Sequence, residues 1–218
     1  MESEWVYYSR IFMEDEKSEV VTSLEYPDGI DRSRFSKDDI RRQTKLFWYA
    51  FEGKKFAPNY DAYPNCEGVV GWINPSPDAR DGDKVYIVLS RRELCEYSDC
   101  DCETGARDLY DGRANTLKLL KYGKKSGVRF PALEQICFWF DERVIQGEIF
   151  IPAREQLMRT YKNEDMINKA LLNIGGRFFM GSKSSSEIDK ARAWAVGWGG
   201  CFYGYKLNLS TFNFFLAY

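Results

Sequence analysis

The sequence predicts an α+β protein, with helices gathered in its middle and strands before and after them. Three observations carry that expectation. Two β-rich runs, GVVGWI (68–73) and KVYIVLS (84–90), flank a stretch of turn residues. From about residue 113 to 173, apolar residues recur at helical spacing between recognisable start and stop signals. Beyond Trp194 the pattern turns to WAVGW, FYGYKLNLS and TFNFFLAY, which read as strands.

Taken in order, residues 1–30 are polar with short β-like runs, WVYY and EVVTSLEY, closed by the turn Pro27-Asp28-Gly29. Ser36 and Asp39 make a capping box, and Ile40, Gln43, Thr44, Phe47, Ala50 and Phe51 fall on one helical face. That spacing predicts a helix over 37–51, followed by a loop rich in Pro, Asn and Tyr through Asn65. The runs at 68–73 and 84–90 are interrupted by Pro75, Pro77 and Asp81-Gly82, as in a hairpin with a longer loop. An acidic loop with clustered cysteines spans Glu96 to Gly112. Helices are then expected at 113–122, stopped by Gly123, and at 131–140, with Pro131 as first residue. Two more are expected at 153–161, after Pro152, and at 164–173, ended by Gly175-Gly176. In the last, Ile167, Ala170, Leu171 and Ile174 form an apolar stripe, which marks scaffold.

Composition narrows the function. The chain of 218 residues, 44% hydrophobic and 29% charged, has the composition of an ordinary globular protein and is long enough for one large domain or for one domain with an added N-terminal subdomain. A net charge of −2 supplies no basic field for a phosphate backbone, which disfavours nucleic acid as a partner. No run of roughly 18–20 apolar residues occurs, so membrane insertion is not expected. The start, MESEWVYYSRIFMEDE, lacks the pattern of a secretory signal, and synthesis in the cytoplasm is the expectation. The six cysteines are Cys66, Cys95, Cys100, Cys102, Cys137 and Cys201, and their spacing fits no zinc ribbon or finger. With no histidine, the chain has no Ser-His-Asp or Cys-His nucleophile and no imidazole metal ligand. No carboxylate pair stands out by context. No cofactor, metal or catalytic residue is therefore expected, and the chain reads as a non-enzymatic binding protein.

The order of motifs is also informative. TGARDLYDGRANT (104–116) is followed by FPALEQICFWF (130–140), FIPAREQL (150–157) and YKNEDMINKALLNIGG (161–176). SSSE (184–187), AWAV (193–196) and a β-rich tail come after these. Together they resemble the C-terminal domain family first described in a Legionella collagen-like protein, which is similar in fold to C-type lectins and the formylglycine-generating enzyme. The resemblance covers about residues 66–218 and implies a C-type-lectin-like ligand-binding domain there, with 1–65 as an extension of unassigned role. It implies scaffold roles for Ile151, Pro152, Glu155 and Leu157, and for Ile167, Asn168, Ala170 and Leu171. The chain departs from the family in two places. Lys183-Ser184 stand before Ser185 where the family often has an aromatic, and the tail Asn213–Tyr218 lacks the usual two arginines.

The formylglycine-generating relatives use a pair of C-terminal cysteines, and here only Cys201 lies in that region. The calcium-lectin triplets Glu-Pro-Asn, Gln-Pro-Asp and Trp-Asn-Asp are absent. Asp99, Asp101 and Glu103 alternate like a calcium loop, but Gly105 falls one place too late for that turn. The tail is more telling. From Trp194 to Tyr218 only Lys206 is charged, and aromatics interleave with glycine, serine and asparagine, the composition of an antibody paratope. A buried β-core is the competing reading. It suits Phe212, Phe214 and Leu216, but suits the glycine-rich stretch from Gly197 to Tyr205 poorly.

Several proteins of this fold group are targets of diversity-generating retroelements, which rewrite adenines in a C-terminal repeat so that Asn codons become other residues. The resemblance then divides residues 194–211 into frame and replaceable positions. The frame is Trp194, Val196, Trp198, Gly200, Phe202 and Lys206. Replaceable, solvent-facing ligand-binding positions are Gly197, Gly199, Cys201, Tyr203, Gly204, Tyr205, Leu207 and Leu209, all on one exposed face. The implied partner is a protein or cell-surface ligand, met by a protein displayed on a virion or cell surface, in a form compatible with an oligomer. A fixed-specificity adhesin or fimbrial-tip module is the alternative, and an enzyme related to the formylglycine-generating fold the third reading.

Overall fold

The computed structural model of the chain describes residues 49–51, 55–57, 66–73, 85–197 and 200–217. The expected turn at 27–29 and most of the expected helix at 37–51 lie outside them. The chain forms two compact units. The first takes the described residues up to Ser90, with Asn163–Phe178 and Ala217; the second takes Arg91–Lys162 and Phe179–Leu216.

In the first unit, strands β1 (Tyr49–Phe51), β2 (Lys55–Ala57), β3 (Cys66–Ile73) and the first part of β4 (Val85–Cys95) are neighbours in the order β2-β1-β3-β4. All are antiparallel. Residues 49–51 are thus strand, not the end of a helix. Tyr49 and Ala50 pair with Val69 and Gly68 on one side and with Ala57 and Phe56 on the other. Two-sided pairing outweighs a periodicity that is weak at its C-terminal end. The hairpin expected at 68–90 is present, with Val69 opposite Val88 and Val70 opposite Ile87. A register shift after Val70 brings Trp72 opposite Tyr86, and their rings stack at 5.0 Å. Helix α4 (Glu164–Asn173) packs on β3 through buried Ile167, Ala170 and Leu171, while Ile174 is half-buried. Gly175 follows in the left-handed conformation, φ +67°.

The second unit holds helices α1 (Gly112–Ser126), α2 (Pro131–Ile145) and α3 (Arg154–Tyr161). Helix α1 starts at Asp111, whose carboxylate accepts from the Ala114 amide at 2.8 Å. It runs past Gly123 and stops at Gly127, φ +78°, so the stop expected at Gly123 lies one turn early. Gly123 can continue the helix because its φ is ordinary; Gly127 cannot. Helix α2 opens on Pro131 as expected and extends to Ile145, beyond the expected end at 140. Phe140, at φ −140°, interrupts it where the sequence pattern breaks.

Strand β5 (Ile149–Phe150) pairs with β9 (Ser210–Ala217), setting Phe150 opposite Phe215. Phe150, Phe179, Phe212, Phe214 and Phe215 are all fully buried and fill the core of this unit. A second sheet has the order β6-β7-β8, from β6 (Ser182–Glu187), β7 (Arg192–Gly197) and β8 (Gly200–Tyr205). The mixture of helices and antiparallel sheets is the α+β class that the sequence predicts.

The serine run 184–186 is buried, although serine favours surfaces. The hydroxyls of Ser184 and Ser186 bond to backbone, and that of Ser185 accepts from the Asn115 side chain. Ser186 Oγ donates to the Asp108 carbonyl (2.6 Å) and accepts from the Arg154 amide (3.2 Å). Asn115 donates to the same Asp108 carbonyl and accepts from its amide. Gln156 Oε1 accepts from the amides of Gly112 (3.0 Å) and Ala153 (2.9 Å), which ties the starts of α1 and α3 together. These bonds satisfy buried backbone groups and hold the helices against β6.

Candidate functional site

The candidate site is the hairpin β7–β8 and the turn that follows it. Its register is regular: Val196 faces Cys201, Trp194 faces Tyr203, and Arg192 faces Tyr205. Side chains alternate between the two faces of a strand, so these six share one face. Ala193, Ala195, Gly197, Phe202 and Gly204 occupy the other.

The first face is aromatic and cationic. The Arg154 guanidinium, from α3, lies 4.9 Å above the Trp194 ring, and Arg192 lies 5.1 Å from the Tyr203 ring. Tyr203 and Tyr205 meet edge to face at 6.3 Å. Each tyrosine is 53% exposed, Cys201 is exposed, and Trp194 is half-buried. Both arginines have their own carboxylates: Arg154 pairs with Glu155 and Arg192 with Asp189, each at 2.5 Å. The hydrogen bond from Arg192 holds the Asp189 carboxyl down at about 2. The face therefore presents rings braced by neutralised cations, with little net charge. Burial raises the Cys201 thiol above its ordinary range, so at neutral pH it is a thiol.

Next to this face lies a buried anchor. Lys206, the one charge in the tail, is fully buried. Its ammonium donates to Glu187 Oε1 (2.7 Å) and to the Cys102 carbonyl (2.6 Å), and sits 5.3 Å from the Tyr97 ring. Glu187 Oε2 accepts from the amides of Thr104 (3.0 Å) and Gly105 (3.1 Å), so both ions are fully engaged. Leu207 and Leu209 follow in the turn, 48% and 65% exposed.

The positions expected to share one exposed face do so in part. Cys201, Tyr203 and Tyr205 lie together on β8, and Leu207 and Leu209 are exposed in the adjoining turn. Gly199 lies outside the described residues. Gly197 is buried rather than solvent-facing: a Cβ there would stand 3.2 Å from the Phe202 ring. Gly204 is half-buried on the reverse face, where a Cβ would stand 3.0 Å from Lys183 Cε. Phe202, assigned to the frame, is 50% exposed, because its ring covers Gly197 on one side only. Sequence reasoning missed Arg154, Arg192 and Lys183. The register of β7 against β8 brings Arg192 there, that of β6 against β7 brings Lys183, and the packing of α3 over Trp194 brings Arg154; no spacing in the sequence encodes any of the three.

In the acidic loop, Asp99 accepts from the Arg129 amide at 3.2 Å, while Glu103 pairs with Arg107. Burial pushes Cys102 up to about 11, and burial with Glu93 and Glu96 pushes Cys95 up to about 12. Among the described residues no group of three acidic or cysteine side chains is arranged to hold a metal ion. No helix among them is long and apolar enough to cross a membrane.

No family model and no curated protein matches the sequence. Among solved structures, the chain is similar to a fimbrial protein from Bacteroides ovatus ATCC 8483. The identity is 15%, the TM-score 0.61, and the match covers 79% of this chain and 48% of that one. At that identity the likeness is one of fold, and this chain spans about half the length of that protein.

Proposed function

We propose that this chain is a ligand-binding protein that presents a recognition surface on a C-type-lectin-like scaffold, with β8 and its following turn as the binding face. One observation carries the reading: Cys201, Tyr203 and Tyr205 share an exposed face of β8, and Leu207 and Leu209 are exposed in the turn that follows, on either side of which the chain is fixed by core strand β9 and the fully buried Lys206–Glu187 pair. Exposed aromatics and leucines on a fixed support suit recognition. A tyrosine offers wide amphipathic area with little rotamer entropy to lose, and pre-organisation lowers the cost of binding. Burying two tyrosines and two leucines, at roughly 25 cal/mol per Å² of apolar area, supplies several kcal/mol before ordering costs. The partner is a protein or cell-surface ligand, and the role is binding rather than catalysis.

The face is diversified by a retroelement in this reading. An exposed Cys201 and exposed leucines fit random draws better than selected chemistry, and Lys206, which such a system cannot write from an Asn codon, is anchored in the core. Sequencing the genomic locus tests this. A reverse-transcriptase gene and an imperfect template repeat, with adenines at the codons for 201, 203, 205, 207 and 209, are the expected result. Their absence at an intact locus returns the protein to the second reading, a fixed-specificity adhesin or fimbrial-tip module. The likeness to a fimbrial protein favours that alternative.

A further inference from the structure

Lys183 stands where the resembled family often has an aromatic, and it lies off the exposed face of β8. It is 2% exposed on β6, directly opposite Ala195 of β7, and so on the reverse face of the sheet with Phe202 and Gly204. Its ammonium donates to two backbone carbonyls, Tyr205 and Asn208, each at 2.5 Å. Those carbonyls bracket the turn that carries Leu207. The Asn208 amide in turn donates to the Tyr205 carbonyl at 3.1 Å, so the bonds close on one another. To reach them the lysine stem passes beneath Gly204, where an added Cβ would stand 3.0 Å from Cε. A flexible lysine end ordinarily swings aside. Here the shift of a few tenths of an ångström that a Cβ demands acts directly against its two carbonyl bonds.

We propose that Lys183 and Gly204 form a lock-and-clearance pair: Lys183 is the positioning residue that holds the Tyr205–Asn208 turn of the recognition surface, and Gly204 is the gap that lets it through. Gly204 then belongs to the frame rather than to the replaceable set. Any side chain there displaces the lysine and frees the turn, so a diversified site of this shape must keep glycine at 204 while it varies at 203 and 205. The idea rests on the reading of β8 as a binding face for its meaning, but the lock itself is measurable without a ligand.

Burial holds Lys183 down at about 8, against the raising influence of Cys95, the last residue of β4, and Glu96 just after it. The two carbonyls from the turn complete the polar surroundings given by these contacts. A lysine kept in so costly a place, with no carboxylate in hydrogen-bond contact, is consistent with a positional task.

The test is amide hydrogen exchange on the full chain, comparing wild type, Lys183→Ala, Gly204→Ala and the double variant. The Asn208 amide reports the turn, and amides of the β6–β7 ladder serve as the control. Each single change is expected to speed Asn208 exchange about tenfold or more while the ladder amides keep their protection. The double variant is expected to exchange no faster than either single one, because both remove one interaction. Unchanged Asn208 exchange in Gly204→Ala, or a double effect equal to the product of the two single ones, overturns the pairing. Should Gly204→Ala fail to fold, the Lys183→Ala background must restore folding by vacating the space, and failure of both also overturns it. Loss of the lock leaves the binding-face reading standing, and a locus without a retroelement leaves the lock standing.

Discussion

Strands β8 and β9 are successive, aromatic and free of charge, yet they have opposite fates. In β9, Phe212, Phe214, Phe215 and Leu216 are fully buried. In β8, Phe202, Tyr203 and Tyr205 are 50–53% exposed. Composition alone does not separate them. What does is the neighbour on each side. β9 pairs with β5 and meets Trp139, whose ring stands edge-on to Phe214 at 5.9 Å. β8 lies at the end of the β6-β7-β8 order and carries Gly204 where its reverse face approaches Lys183. Aromatic area that finds a partner element becomes core, and the same area on a glycine-spaced edge remains available for a ligand.

The comparison is most open to challenge where the two strands join. Lys206 is the first residue after β8, at the start of the turn, and its loss leaves Glu187 charged and buried. Lys206→Ala is expected to cost about 3–5 kcal/mol, measured by denaturant melts. Phe214→Ala, which empties a core site in β9, is expected to cost a similar ~3–5 kcal/mol. A loss under about 1 kcal/mol at either position would mean that the tail is not anchored as described.

A smaller effect sharpens the account of the support beneath β8. Lys183 is held at about 8 in the folded chain against an ordinary value of 10.5. Between those values the unfolded chain binds the proton more fully than the folded one, so stability rises with pH across that window. Wild type should therefore gain stability from pH 7.5 to 9.5 relative to Lys183→Ala. Equal pH slopes for the two proteins would place Lys183 in solvent. Smallest of all, Tyr203→Ala is expected to change stability by under about 1 kcal/mol, since the ring is half-exposed and its Arg192 contact is at the surface.

How much of this was legible follows the same divide. The helix starts at Pro131 and just after Pro152 are readable because proline and its neighbours act locally. The apolar stripe of α4 was readable because three of its four members share one buried face. The conversion of 49–51 to strand was not, since its cause is pairing with residues far along the chain. In the site, Lys206 stood out as the lone charge of the tail, and the structure buries it. The faces of Gly197 and Gly204 could not be read, because strand parity becomes meaningful only once β7 and β8 are in register. Lys183 is visible in the sequence only as a basic residue before a serine run, and its reach to the turn depends on folding.

The most direct test of the central claim, an exposed β8 face on a fixed frame, is a saturation library over residues 194–217 sorted for folded protein by surface display. Positions 201, 203, 205, 207 and 209 are predicted to accept most residue types. Positions 206, 212, 214 and 215 are predicted to accept few, and 204 to accept glycine. A tolerance map in which 203 and 205 are as restricted as 212 and 214 would contradict the account and return β8 to the core.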